Sequence, residues 1–394
     1  MSLAATTPPR MLTLIMLPAL ATLSLNMFLP SLANMALDFE AEYALLTLAI
    51  AGYLGITAIL TLIIGPFSDR YGRRPVMLVA LTVFTVASCV CATTENVYVF
   101  LVSRVFQGAI IAGWGVALAV VRDTSEAKEA ARRISFITMC MSLAPMLGPM
   151  VGGVLDELFG WRSNFIVYAL FGAATLLLCW VDLGETNQHK SESFTKQFKS
   201  YPDLLMTGRY WDYAICMAFS TGGFYIFIAG VPLVAITLLG LSPAVLGIYM
   251  GLITVGFALG TFISGRLTQH FSLTTMMISG RVFATVGMVI SLAFFLGGII
   301  NAYTLFGPVM LVGVGNGLTM PSANAGVLSI RPDLAGSAVG LVSALSVGIG
   351  AALTSITGAI TTEESGGIPL ITLMLIASLI SLAASLHLKW LERS

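Results

Sequence analysis

Apolar residues along this chain come in runs of about twenty separated by short polar stretches, a rhythm that predicts helices long enough to cross a bilayer. Twelve such runs can be read, near residues 12–34, 44–65, 76–93, 97–121, 134–156, 162–181, 211–235, 243–265, 274–297, 301–321, 335–360 and 368–388. One polar interruption is long: residues 182–210, rich in Lys, Glu, Ser and Gln, divide six runs from six. The expectation is an all-α polytopic membrane protein of twelve transmembrane helices. They would form two pseudo-symmetric six-helix bundles, residues 1–181 and 211–394, joined by a cytoplasmic linker over 182–210.

The basic residues orient these helices. With the N-terminus inside, Arg10, Arg70, Arg73, Arg74, Arg122, Lys128, Arg132, Arg133, Lys190, Lys196, Lys199, Arg209, Arg266, Arg331, Lys389 and Arg393 all fall in cytoplasmic segments, 16 of the 19 present. Arg162 falls outside, and Arg104 and Arg281 lie within runs. Positive charge is retained on the cytoplasmic side, so both termini are expected there.

Composition narrows the classes. Of 394 residues 57% are apolar and 10% charged, against about 25% charged in soluble domains. The first run, from Met11, lacks a small-residue cleavage site and is long enough to span, so no signal peptide is expected. Equal numbers of basic and acidic residues, 19 each, argue against nucleic acid. Cys89, Cys91, Cys140, Cys179 and Cys216 sit in apolar runs without metal-ligand spacing, as packing residues do. No HExxH, P-loop or membrane-embedded His/Asp cluster exists, and His189, His270 and His387 lie at loops or ends, which argues against a membrane enzyme and against a cofactor. Gly313-Val-Gly315-Asn-Gly317 has no preceding strand and reads as helix packing. The linker is too short for the soluble domain of a signalling protein.

The stretch Gly65-Pro66-Phe67-Ser68-Asp69-Arg70-Tyr71-Gly72-Arg73-Arg74-Pro75 is expected to be a tight polar turn between the second and third runs. Gly72 suits the positive φ of a helix end and Pro75 the first turn of the next helix. Asp69 needs a partner there, a cation or a helix N-terminus. Shifting by 200 residues sets this stretch over Gly265-Arg-Leu-Thr-Gln-His-Phe-Ser272, which keeps the turn and loses the charges.

Within the runs stand Asn26-Met-Phe-Leu-Pro30, Arg104-Val-Phe-Gln107-Gly108 and Gly148-Pro149-Met-Val-Gly152-Gly153, with Arg122-Asp123 after the fourth. In this order, with the Gly65–Pro75 stretch, they resemble the major facilitator superfamily. The resemblance is to its twelve-helix drug:proton antiporters and nearest to the Bcr/CflA drug-resistance group. It implies a bacterial cytoplasmic (inner) membrane protein, monomeric in the lipid bilayer, exchanging a small-molecule substrate against protons. It further implies a cytoplasmic gate at Asp69, Arg70, Gly72 and Arg73 with Arg122 and Asp123. Arg104 and Gln107 would serve proton transfer, and Gly148, Pro149, Gly152 and Gly153 the interface of the halves. Physically, Arg104 in lipid must face the bundle, water or the outer interface. Gly and Pro allow a bend and close helix approach.

The first run departs from the family, which carries an acid where this chain has Asn26. No acidic residue falls securely inside a run, leaving Arg104 and Arg281 as the embedded charges, with Arg281 near enough the cytoplasm to snorkel. A cavity with arginines and no carboxylates suits neutral or anionic solutes. Candidate lining residues are Asn26, Pro30, Tyr53, Arg104, Trp114, Phe224, Tyr225, Tyr249, Arg281, Asn316 and Asn324. Two functions stay open: a proton-linked multidrug exporter, or a dedicated carrier of an endogenous anionic metabolite, such as a siderophore or organic acid, in either direction and without need of protons.

Overall fold

A computed structural model describes residues 9–187, 201–331 and 334–392. Of the expected linker, residues 188–200 lie outside the described residues, and with them His189, Lys190, Lys196 and Lys199; Arg393 does too. All regular structure among the described residues is helical. Six long helices come first: α1 (Met11–Asp38), α2 (Tyr43–Tyr71), α3 (Arg73–Thr93), α4 (Val97–Thr124), α5 (Ala127–Phe159) and α6 (Arg162–Asp182). After a short helix at Tyr201–Leu205 come α7 (Gly208–Leu238), α8 (Pro243–Leu267), α9 (Leu273–Leu296), α10 (Ala302–Ile330), α11 (Ala335–Ile360) and α12 (Ile368–Leu391). Eleven of the twelve are long and apolar enough to cross a membrane. The exception, α10, has the length, 29 residues, but mixes Gly, Asn, Ser and Thr into its apolar sequence.

Local chemistry sets the ends. Asn96 accepts from Tyr98 N at 2.8 Å and starts α4, while Asn301 and Thr304 form a reciprocal capping box at α10. Pro243 at the first turn of α8 follows Ser242, whose hydroxyl accepts from Val245 N. Three helices are interrupted. A 3₁₀ turn at Leu29–Ser31 accommodates Pro30, another at Gly108–Ile111 breaks α4 where Gly108 abuts Tyr53 and Ile56 of α2, and a π turn at Val234–Leu238 follows Pro232.

The Gly65–Pro75 stretch corrects the expected turn. Helix α2 continues through Tyr71, and the reversal is the single residue Gly72, at φ +103°. Asp69 and Arg70 therefore stand on the last turn of a helix. The backbone needs no loop because the left-handed region is open to glycine. Helices α5 and α7 likewise begin earlier than their apolar runs, at Ala127 and Gly208, because their first turns project past the apolar layer.

Packing is dense within the first six helices, where α3 lies on α6 and α1 on α5, and within the last six, where α10 lies between α8 and α9 and α12 against α7 and α9. Two long seams, α5 with α8 and α2 with α11, join the sets. On the face away from Arg70 and Arg74 these seams are shut. A Cβ on Gly153 would collide with the Pro243 carbonyl, one on Gly247 with the Pro149 carbonyl, and one on Gly358 with Thr47. Tyr43 also donates across to the Ala229 carbonyl at 2.6 Å. Towards the basic face the seams part: Gly348 has its nearest neighbour, Ala58, at 3.9 Å, and Gly340 and Gly336 have none within 4 Å.

Candidate functional site

Two buried arginines organise the interior. Arg104 of α4 has no exposed surface, so it does not reach the outer interface. Its Nη1 donates to Gln107 Oε1 at 2.5 Å and to the Ser24 carbonyl at 3.3 Å, and Gln107 Nε2 donates to Ser88 Oγ at 2.7 Å. Polar atoms of α1, α3 and α4 are thereby tied together. The guanidinium lies 4.3 Å from the Phe28 ring centre and 4.9 Å from that of Tyr53, a cation–π setting that offsets part of its desolvation.

Arg281 of α9 is 1% exposed and does not snorkel. Its Nη2 donates to Asn316 Oδ1 at 2.7 Å and its Nε to Thr319 Oγ1 at 2.9 Å, both on α10. Asn316 Nδ2 donates in turn to the Ser220 carbonyl of α7 at 3.2 Å. The oxygen and one N–H of the amide are committed, so the orientation of Asn316 is fixed by a cation on one side and a helix carbonyl on the other.

Asn316 opens onto a cavity of about 300 Å³ at the point where the α5–α8 seam parts. Pro145, Thr221, Phe224, Ile253, Thr254, Phe257, Gly313 and Met320 complete its wall. The lining is apolar apart from one amide and two threonine hydroxyls, with a cation one bond behind the amide and no carboxylate. Such a surface favours aromatic and aliphatic bodies bearing an acceptor group and places a cation at a disadvantage.

Of the expected lining residues, Phe224 and Asn316 are on this wall, and Arg281 stands directly behind it. Asn26, Pro30, Tyr53 and Arg104 are not; they are buried among the first six helices, with Asn26 donating to the Thr22 carbonyl and Tyr53 to that of Ala21. Trp114 is half-buried against the core, Tyr225 packs on Gly350, Tyr249 stacks on Phe306 at 4.8 Å, and Asn324 is exposed. Thr221, Thr254, Phe257, Met320 and Pro145 carried no signal that sequence reasoning could use, because nothing in the spacing of their helices marks one face as facing a cavity.

Two acidic residues at the ends of the runs are nonetheless covered. Asp156 in the last turn of α5 and Asp212 near the start of α7 are each 7% exposed. Asn34 Nδ2 donates to Asp156 at 2.8 Å, and Asp212 lies 2.9 Å from Nδ1 of His387 on α12. Both stand at the very end of an apolar run, and both are covered by a side chain from another helix. A second cavity, about 820 Å³, opens on the face opposite the basic one, with Glu40, Glu42 and Glu363 at its rim and Ala33, Tyr43 and Leu233 in its wall.

At the basic face Arg73 gathers the charges of the α2–α3 corner onto itself. It pairs with Asp69, lies 3.3 Å from Asp123 and donates to Ser68 Oγ at 2.5 Å, while its backbone N–H donates to Glu185 at 2.9 Å. Asn187 Nδ2 adds a bond to the Asp69 carbonyl at 2.6 Å. Arg70 and Arg122 are exposed, and the partner of Asp123 is Arg73 rather than its neighbour. Gly148 and Gly152 of α5 abut Leu23, Asn26 and Met27 of α1, so this stretch packs on both α1 and α8.

The geometry has known counterparts. Residues 14–355 match the family described as Major Facilitator Superfamily. The chain is 28% identical over 336 residues to multidrug resistance protein D of Escherichia coli (strain K12), which spans 85% of this chain and 84% of that one. It is 27% identical over 379 residues to the uncharacterized MFS-type transporter YdgK of Bacillus subtilis (strain 168), spanning 93% and 91%. Among solved structures, a bacterial homolog of the human lysosomal transporter Spinster, in an inward-facing and occupied conformation, shares the fold with TM-score 0.75 at 16% identity, over 99% of this chain and 98% of that one.

Proposed function

The chain belongs to the Major Facilitator Superfamily, and on that premise we propose that it exports small neutral-to-anionic organic molecules across the bacterial cytoplasmic membrane in exchange for protons. The two sets of six helices, divided at 182–210, would rock about the α5–α8 and α2–α11 seams to expose the cavity alternately. With both termini in the cytoplasm, the described conformation is open inward. The observation that carries the substrate class is the cavity wall: Asn316 backed by Arg281 at 2.7 Å, and no acidic side chain on it.

Proton coupling needs a group that gains and loses a proton as the seams move. Arginine and glutamine cannot do so, so Arg104 and Gln107 are assigned to holding α1, α3 and α4 together. Asp156 is the better carrier, since it lies beside the shut α5–α8 seam, hydrogen-bonded to Asn34 and without a cation within 4 Å among the described residues. The Asp69–Arg73–Asp123 cluster would act as the cytoplasmic gate, re-pairing Asp69 when that face closes. A second reading, a dedicated carrier of an anionic metabolite such as a siderophore or organic acid, is favoured by the same carboxylate-free wall.

Purified protein in liposomes under an imposed pH gradient tests both. Gradient-driven movement of several unrelated neutral and anionic solutes, lost in Asp156→Asn, supports the exporter. Movement of one anionic metabolite regardless of the gradient selects the carrier. Efficient efflux of lipophilic cations refutes the substrate class.

A further inference from the structure

We propose that Arg104 holds a small monovalent anion, chloride or a carboxylate group, along the Nε–Nη2 edge of its guanidinium. Arg104 is fully buried. Its Nη1 is committed to Gln107 and the Ser24 carbonyl, and the ring of Phe28 lies 4.3 Å away. Nε and Nη2, equally buried, have no acceptor among the described residues. Nε–H and the adjacent Nη2–H form the parallel pair that grips an oxyanion side-on. The donors without acceptors are therefore the pair built for an anion.

Charge balance points the same way. A guanidinium stays protonated at any pH the cell reaches. The ionisable side chains that interact with it are Tyr53, Cys91 and Tyr168, which ordinarily ionise only well above neutrality. No carboxylate forms an ion pair with it among the described residues. Aromatic faces soften the cost of burying a charge but do not cancel it. Arg281 shows the alternative: the same edge of its guanidinium is filled by Thr319 and Asn316. The enclosure by Phe28, Tyr53 and Phe165 limits the ligand to an ion of about the size of chloride or formate and shuts out a six-carbon acid such as gluconate, and one uncompensated charge makes it monovalent. The site is independent of the solute transported and of proton coupling, since it compensates a charge that is present in either case.

The test is the thermal unfolding of the full-length protein in detergent, with sodium gluconate replaced stepwise by chloride or formate at constant ionic strength. Wild type is expected to show a saturable rise in Tm, on the order of 3 °C. Arg104→Met should show none and should unfold no earlier than wild type in gluconate, because a buried unpaired charge has gone. Gln107→Glu is the second variant. It places a carboxylate where the amide oxygen now stands 2.5 Å from Nη1, so it should abolish the anion dependence even if Arg104→Met cannot be purified. A response to both anions, or to either alone, supports the site; formate alone assigns it to a carboxylate and chloride alone to a halide. A Tm of wild type that does not depend on either anion overturns the proposal, as does an equal response in Gln107→Glu.

Discussion

Gly153→Ala offers a direct reading of the shut seam. The added methyl would overlap the Pro243 carbonyl and stand 2.9 Å from the Ala244 Cα, both backbone atoms in the first turn of α8. Backbone at a helix start cannot rotate aside, so α5 and α8 must separate. Overpacking of this kind costs about 1–3 kcal/mol, and the cost falls only on the conformer in which the seam is closed. An equilibrium between closed and open outer faces should therefore move about 5- to 150-fold towards open. Ala33, which lines the cavity on the face opposite the basic one and is 5% exposed, reports the change if converted to cysteine in a Cys89→Ser background, Cys89 being an exposed native thiol. Modification by a membrane-impermeant maleimide should accelerate at least fivefold at the lower cost, and transport should slow because closure is hindered. Gly265→Ala, where a methyl meets nothing within 4 Å, should leave the rate unchanged. A monodisperse Gly153→Ala protein that labels as slowly as its parent would show that this contact does not hold the outer face shut.

Further expectations follow from the same geometry. Gly72→Ala must place a side chain at φ +103°, against Glu185, and should lose about 1–3 kcal/mol of stability, read as a lower Tm; an unchanged Tm refutes the strained corner. Asp69→Asn removes a partly exposed charge from Arg73, which keeps Asp123, so stability should change by less than about 1 kcal/mol while the transport rate falls. A rate equal to wild type excludes Asp69 from the gate. Asn316→Asp would neutralise Arg281 across the 2.7 Å contact and should cut kcat/KM for anionic relative to neutral solutes about tenfold, some 1.4 kcal/mol. No change in that ratio would remove Arg281 from substrate selection.

How far the sequence could be read depended on which physical quantity each feature needed. Twelve spans and the break at Gly72 were legible because apolar length and glycine's freedom at positive φ are local properties. For Arg104 and Arg281 the sequence left burial and snorkelling both open, and their partners were not legible, since Asn316 lies 35 residues from Arg281. The wall of the cavity was not legible. Helices such as α8 are apolar on all sides, and nothing in their periodicity distinguishes Thr254 or Phe257 from residues that face lipid. The burial of Asp156 and Asp212 was hidden for a related reason: an apolar run marks where the bilayer is, whereas cover at its ends depends on which side chains of other helices reach there. Their partners, Asn34 and His387, are 122 and 175 residues away.

Helix α10 carries a consequence for how the protein is made. It carries a buried asparagine in mid-span, and its glycines press against carbonyls of α8 and α9. Its asparagine at 316 has its hydrogen-bonding groups matched only by Arg281 of α9 and Ser220 of α7. A polar side chain within an apolar helix costs free energy until its groups find partners, and here those partners come only from other helices. Substitutions at Asn316 strip Arg281 of an acceptor and leave a buried cation less well matched, so they should lower the yield of folded protein as well as alter any completed transporter.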